Sequence, residues 1–183
     1  MQPRRTTMSK HIIPITLFAM AVAGQAYADK DEYRESHGAS MPVKNELYQK
    51  ECGDCHIAYP AELLPARSWE HLMNKLDKHF GENAELSEDN RQALSRYLTE
   101  NAGDRSRGSP GKLLKSLDRS QTPERITELP YFKKEHREIP ARFYEQNPKM
   151  KSLSNCEVCH TRAAQGSFAE GEINIPGIGR WED

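Results

Sequence analysis

Apolar residues recur along much of this chain at helical spacing. Val43, Leu47 and Tyr48 lead at that spacing into a first Cys52/Cys55 pair. Over Trp69–Phe80, turning about 100° per residue from Trp69, Leu72, Met73, Leu76 and Phe80 fall within about 60° of it, which predicts an amphipathic helix. His79 lies at the edge of that arc, beside Leu72, and His71 lies among Lys75 and Lys78 on the polar face. A further helix is predicted from Ser87 to about Asn101, with Leu94, Tyr97 and Leu98 on one face and Gly103 as its stop. Pro130 can open another helix and Pro140 close it after Ile139, with Phe132, His136 and Ile139 sharing a side. Ser154 can cap a short helix that carries a second cysteine pair. The Gly-rich tail with Ile173, Ile175, Pro176 and Ile178 has no helical period and predicts irregular chain. The pattern predicts a mainly α protein with an N-terminal module over 29–103, a connector over 104–128 and a C-terminal module over 129–183. Within the connector, Asp104–Gly111 reads as a linker and Lys112–Glu128 as a polar, partly helical stretch.

The N-terminus changes the compartment. Residues 1–11 are basic, Ile12–Gly24 is an apolar run, and Ala26-Tyr27-Ala28 is a small-x-small cleavage pattern, so a signal peptide cleaved after Ala28 is expected. A run of about 13 residues is short for a membrane span, which disfavours an uncleaved anchor. Met8 could also begin a complete signal. Export places the protein in the periplasm, where disulfides are an option. Removing residues 1–28 leaves 155 residues. It also takes Arg4, Arg5 and Lys10, and no acid, from a chain of net charge −1, leaving −4. About a third of that mature chain is apolar, which excludes a polytopic membrane protein and is thin for a core of this size. The acidic balance gives no sign of a nucleic-acid binder.

All four cysteines fall in two matching patterns, Cys52-Gly53-Asp54-Cys55-His56 and Cys156-Glu157-Val158-Cys159-His160. A histidine directly after a Cys-x-x-Cys pair is the attachment signature of a c-type haem. On a helix, positions i, i+3 and i+4 share a face, so both thiols reach one porphyrin edge while the histidine points at the iron. A thioredoxin-like dithiol needs a βαβ pattern, which is not visible here. A zinc site of four thiolates leaves both histidines unexplained, and two structural disulfides would more often join distant segments. Two covalently bound haem c groups are therefore expected, and porphyrin would fill the core that side chains leave thin.

The far side of each iron is open to His37, His71, His79, His136, Met41, Met73 and Met150. His79 suits the first iron better than His71, with Met73 the rival; His136 suits the second, and His37 stays as runner-up for either. A backbone carbonyl near Pro60 or Pro65 can accept the ring N–H of His56. Trp69 is expected to pack against the porphyrin, and Arg67, Arg142 and Arg162 are candidates for the propionates. Lys44, Lys50, Lys75 and Lys78 form a possible basic fringe for a partner.

The run Glu51–Pro60, then Leu64–Trp69 and Asp77–Ala84, resembles the dihaem cytochrome c family of bacterial exported proteins. Arg125–Thr127, Tyr131-Phe132, His136, Cys156–His160, Gly166–Phe168 and Ile175-Pro176 extend the resemblance over about 44–176. It implies a first module similar to a class I cytochrome c and a second, small and partly irregular haem-binding module. It implies low-spin irons held by His56 and His79 and by His160 and His136. It also implies redox partners: an oxygen-binding monohaem cytochrome, and a membrane cytochrome b or quinol-linked reductase met by peripheral contact. A monomer is expected. The function expected is one-electron transfer without catalysis, since two strong axial ligands leave no open coordination site. A small haem peroxidase or ligand-binding cytochrome with one open iron is the alternative, and a zinc-stapled module the third.

Overall fold

The structure is a computed structural model and describes residues 40–105, 113–148, 150 and 152–181. Residues 1–28, expected as a signal peptide, together with His37, residues 106–111 of the expected linker and Lys112, lie outside the described residues.

Helix α1 (Glu46–Gly53) starts where Asn45 accepts the Tyr48 N–H at 2.9 Å, with Glu46 in the first turn against the positive helix end. It buries Tyr48 and carries Cys52 in its last turn. Helix α2 (Ala66–Met73) follows Pro65, and the Asp104 carboxylate accepts the Ala66 N–H at 2.8 Å, a cap supplied from far along the chain. Helix α3 (Glu88–Glu100) is capped by Ser87, whose hydroxyl accepts the Asn90 N–H at 3.3 Å, and ends at Asn101. These bounds agree with the expected helix over Ser87–Asn101.

Helices α2 and α3 pack across Trp69, Leu72, Met73, Leu94 and Leu98. Each such apolar side chain contributes about 1.5–3 kcal/mol on burial. Trp69 also donates its indole N–H to the Ala61 carbonyl at 2.7 Å. The same cluster takes in Leu129 and Phe132, so one core reaches both halves of the chain. The second half holds α4 (Pro130–Glu135), α5 (Arg142–Glu145) and several single 3-10 turns. Its only strands among the described residues are β1 (Asn174–Ile175) and β2 (Gly179–Arg180), an antiparallel pair with Asn174 opposite Arg180 and Ile175 opposite Gly179. The architecture is mainly α, as expected.

Four expectations are corrected. The predicted helix over Trp69–Phe80 stops at Met73; a 3-10 turn (Leu76–Lys78) follows, and Phe80 takes φ +53°. The helix from Pro130 ends at Glu135, with His136 as its C-cap, well before Pro140. Ser154 does not cap a helix: the second motif is one 3-10 turn (Cys156–Val158) with no side-chain cap. The tail is not wholly irregular, because its apolar residues close a short hairpin with Ile175 fully buried.

Candidate functional site

The first site is assembled from the end of α1 and the turn after α2. Cys52 lies in the last turn of α1, Asp54 caps that helix, and Cys55 and His56 follow in a turn. His56 Nδ1 lies 2.6 Å from the Ile57 carbonyl, which must accept, so Nδ1 carries the proton and Nε2 is free to bind a metal. The acceptor is the next residue's carbonyl and not one at Pro60 or Pro65. Breaking the helix at Met73 brings His79 round to face His56, with ring centroids 6.2 Å apart and planes 27° apart. Burial first, then His56 and Arg125 nearby, lowers the His79 pKa and favours the neutral ring. Phe80 meets His79 edge-on at 4.8 Å, and the Arg125 guanidinium lies 3.9 Å above the Phe80 ring.

The second site has the same plan on different elements. A 3-10 turn carries Cys156, and the His160 N–H donates to the Cys156 carbonyl at 2.8 Å. The Asn174 N–H donates to the Cys159 carbonyl at 2.9 Å and Ile173 bridges His160, so the tail hairpin clamps the motif. His136, at the C-cap of α4, stacks on Phe132 with centroids 3.8 Å apart, and its Nδ1 donates to the Phe132 carbonyl at 2.9 Å. Its ring faces His160 at 6.1 Å with planes 62° apart. Burial above all, and His136 next, pushes His160 down to about 4, so the ring is neutral at physiological pH.

These spacings bear on what each pair can hold. A metal ion binds an imidazole nitrogen at about 2 Å, and the ring centre lies about 1 Å beyond, so two imidazoles on opposite sides of one ion stand about 6 Å apart. Both pairs stand at that separation. The thiols suit covalent attachment. No disulfide joins any of the four cysteines, so each sulfur is available for a bond to porphyrin. Among the described residues no three His, Cys, Asp or Glu side chains converge as a metal-binding group, so the sulfurs are not gathered as a zinc centre requires.

Other candidates are placed elsewhere. Met73 is buried in the core; Met150 is buried against Cys159, its sulfur 3.4 Å from that thiol. Met41 donates its N–H to the Gly166 carbonyl, and His71 bonds Glu124 at 2.6 Å on the surface. Arg67 bonds the Gln121 and Asp118 carbonyls, Arg162 pairs with Glu172 at 2.7 Å, and Arg142 lies over Phe143. In the basic fringe Lys75 lies 3.7 Å from Glu124 and Lys50 4.0 Å from Glu51, while Lys44 and Lys78 are exposed.

Sequence reasoning missed the aromatic residues around the imidazoles. Tyr59 stacks on His56 at 4.9 Å and 24°, and Phe168 meets His160 at 5.4 Å. Burial first, then Cys156 and Glu157, pushes the Tyr59 phenol up to about 12, so it keeps its proton and donates. The signal available for Tyr59 was its place three residues after the motif histidine.

A family model described as dihaem cytochrome c matches residues 48–168. A solved diheme cytochrome c from Rhodobacter sphaeroides is 47% identical, covers 70% of this chain and 100% of its own, and superposes with a TM-score of 0.65. A diheme cytochrome type c from Shewanella baltica OS155 is 38% identical, covers 76% of this chain and 99% of its own, with a TM-score of 0.64. No curated protein matches.

Proposed function

The chain belongs to the dihaem cytochrome c family and carries two covalently bound haem c groups, and from that premise we propose a periplasmic one-electron carrier, not an enzyme, with each iron held between two histidines. Cys52 and Cys55 tether one haem and Cys156 and Cys159 the other. His56 and His79 would hold the first iron, and His160 and His136 the second. The observation that carries this reading is the facing of the two imidazole pairs at 6.2 Å and 6.1 Å.

Each haem supplies an iron that cycles between ferric and ferrous. The protein's own groups hold that iron and close it to small molecules. The Ile57 and Phe132 carbonyls hold the Nδ1 protons of His56 and His136, which fixes the tautomer and ring plane and makes Nε2 a stronger donor. Burial keeps His160 neutral and able to coordinate. Two imidazole ligands would support the ferric state better than an imidazole and a thioether, so both potentials should lie below those of His/Met sites.

Partners are other redox proteins, a monohaem cytochrome and a membrane cytochrome b or quinol-linked reductase, with exposed Lys78 beside His79 available to an acidic partner surface. The carrier acts as a monomer, and the signal pattern over 1–28 supports the periplasmic address.

The test combines pyridine haemochrome quantification, low-temperature EPR of the oxidised protein and a carbon monoxide difference spectrum of the reduced one. Two haems per chain, low-spin signals alone and no carbon monoxide shift are expected. A high-spin signal or a shifted Soret band would reveal an open iron and favour the ligand-binding alternative.

A further inference from the structure

Resting on the reading of two haem sites, we propose that Tyr59 is a positioning residue that locks the two sites together for electron exchange between them. One side chain touches both. Its ring lies on the His56 imidazole, centroids 4.9 Å apart and planes 24° apart. Its hydroxyl donates to the Ser154 carbonyl at 2.7 Å, across 95 residues of sequence. Ser154 lies two residues before Cys156, whose sulfur contacts the same carbonyl at 3.6 Å. The bond therefore ends on the backbone that leads into the second attachment motif.

Tyr59 is itself held. Its carbonyl accepts the Tyr48 hydroxyl at 2.9 Å, and Tyr48 is buried on α1, the helix that delivers Cys52. Buried Pro60 follows and restricts the backbone on its C-terminal side. A continuous path thus runs from α1 through Tyr48 and Tyr59 to Ser154 and Cys156. Coupling across such a path travels through packed and hydrogen-bonded groups that hold one arrangement. An electron exchanged between the sites leaves one iron, which goes from ferrous to ferric, and arrives at the other, which goes from ferric to ferrous. Tyr59 is neither oxidised nor deprotonated in that exchange.

The test uses the full-length, two-haem protein and three variants. Tyr59→Phe removes the hydroxyl and keeps the ring, Tyr59→Leu removes both, and Tyr131→Phe, at an exposed tyrosine, is the control. Electron equilibration between the sites is followed after pulsed one-electron reduction, and EPR g-values and both midpoint potentials are measured alongside. Losing one hydrogen bond weakens the docked arrangement by about fivefold, so Tyr59→Phe should slow equilibration by up to about fivefold while leaving the g-values near wild type. Tyr59→Leu should slow it further and also move the g-values of the first site, because the His56 ring loses the surface it lies on. The proposal is overturned if Tyr59→Phe, with two low-spin haems loaded, equilibrates at the rate of the wild type and of Tyr131→Phe. Tyr59→Phe decides the matter by itself if Tyr59→Leu loads poorly. A wild-type protein without two low-spin irons would instead overturn the two-site reading itself.

Discussion

Gly166 closes the turn that follows the second motif, and substituting it isolates one long-range contact. It sits in the left-handed region at φ +76°, just after the 3-10 turn Ala163–Gln165. Its carbonyl accepts the Met41 N–H at 2.9 Å, tying the first described residues to the second half of the chain. A Cβ at this position would run into the Met41 carbonyl and the Pro42 nitrogen, which are backbone atoms and cannot rotate away. In Gly166→Ala the left-handed backbone costs about 1–2 kcal/mol. Displacing Met41 loses a hydrogen bond of about 1 kcal/mol. The sum is about 2–3 kcal/mol, or a fall in Tm of roughly 4–12 °C for a chain of this size. Gly177→Ala separates the two effects, because Gly177 also has a positive φ, +84°, but meets nothing within 4 Å. It should therefore cost only the backbone share, about 1–2 kcal/mol. The assay is guanidinium unfolding of the haem-loaded protein, followed by far-UV circular dichroism and Soret absorbance. Equal losses in the two variants would show that the contact of residue 41 with residue 166 contributes nothing, and would refute the argument.

Two further outcomes follow from the sites and the helix ends. His136→Ala should open the second iron, so that carbon monoxide shifts the Soret band of about half the pigment; an unchanged spectrum would remove His136 from the axial position. On α3, hydrogen bonds from Arg91 and then Gln92 hold the exposed Glu88 carboxyl down to about 2. A depressed carboxyl contributes its stability above the ordinary value near 4.5 and loses it as pH falls through the folded value. The stability gap between wild type and Glu88→Gln, read by urea melts, should therefore be flat above about pH 5 and shrink toward pH 2. A gap that does not change with pH would contradict the pairing.

How much was legible in the sequence depended on the range of the interactions involved. The boundaries of α3 were readable because Ser87 and Asn101 act within one turn of the helix they end. Pro130 likewise marked the first position of α4 through its own fixed φ and missing N–H. Trp69 read as core, and it is buried. The helix over Trp69–Phe80 misled because Leu76 and Phe80 keep the apolar period, while the chain leaves the helix at Asn74, whose N–H donates to the Glu70 and Leu72 carbonyls. What lies beyond answers to contacts with His56 and Arg125, which no local period encodes.

The two Cys-x-x-Cys-His motifs, and with them the number and kind of cofactors, were determined by the sequence itself, since the spacing of thiols and imidazole is covalent and local. His79 and His136 were already candidates in the sequence, but the meeting of their rings with the motif histidines and the Tyr59 bond to Ser154 were decided only in three dimensions. Each joins segments far apart in the chain. Which distant side chains meet depends on how the helices and turns pack, and packing is a property of the whole folded chain.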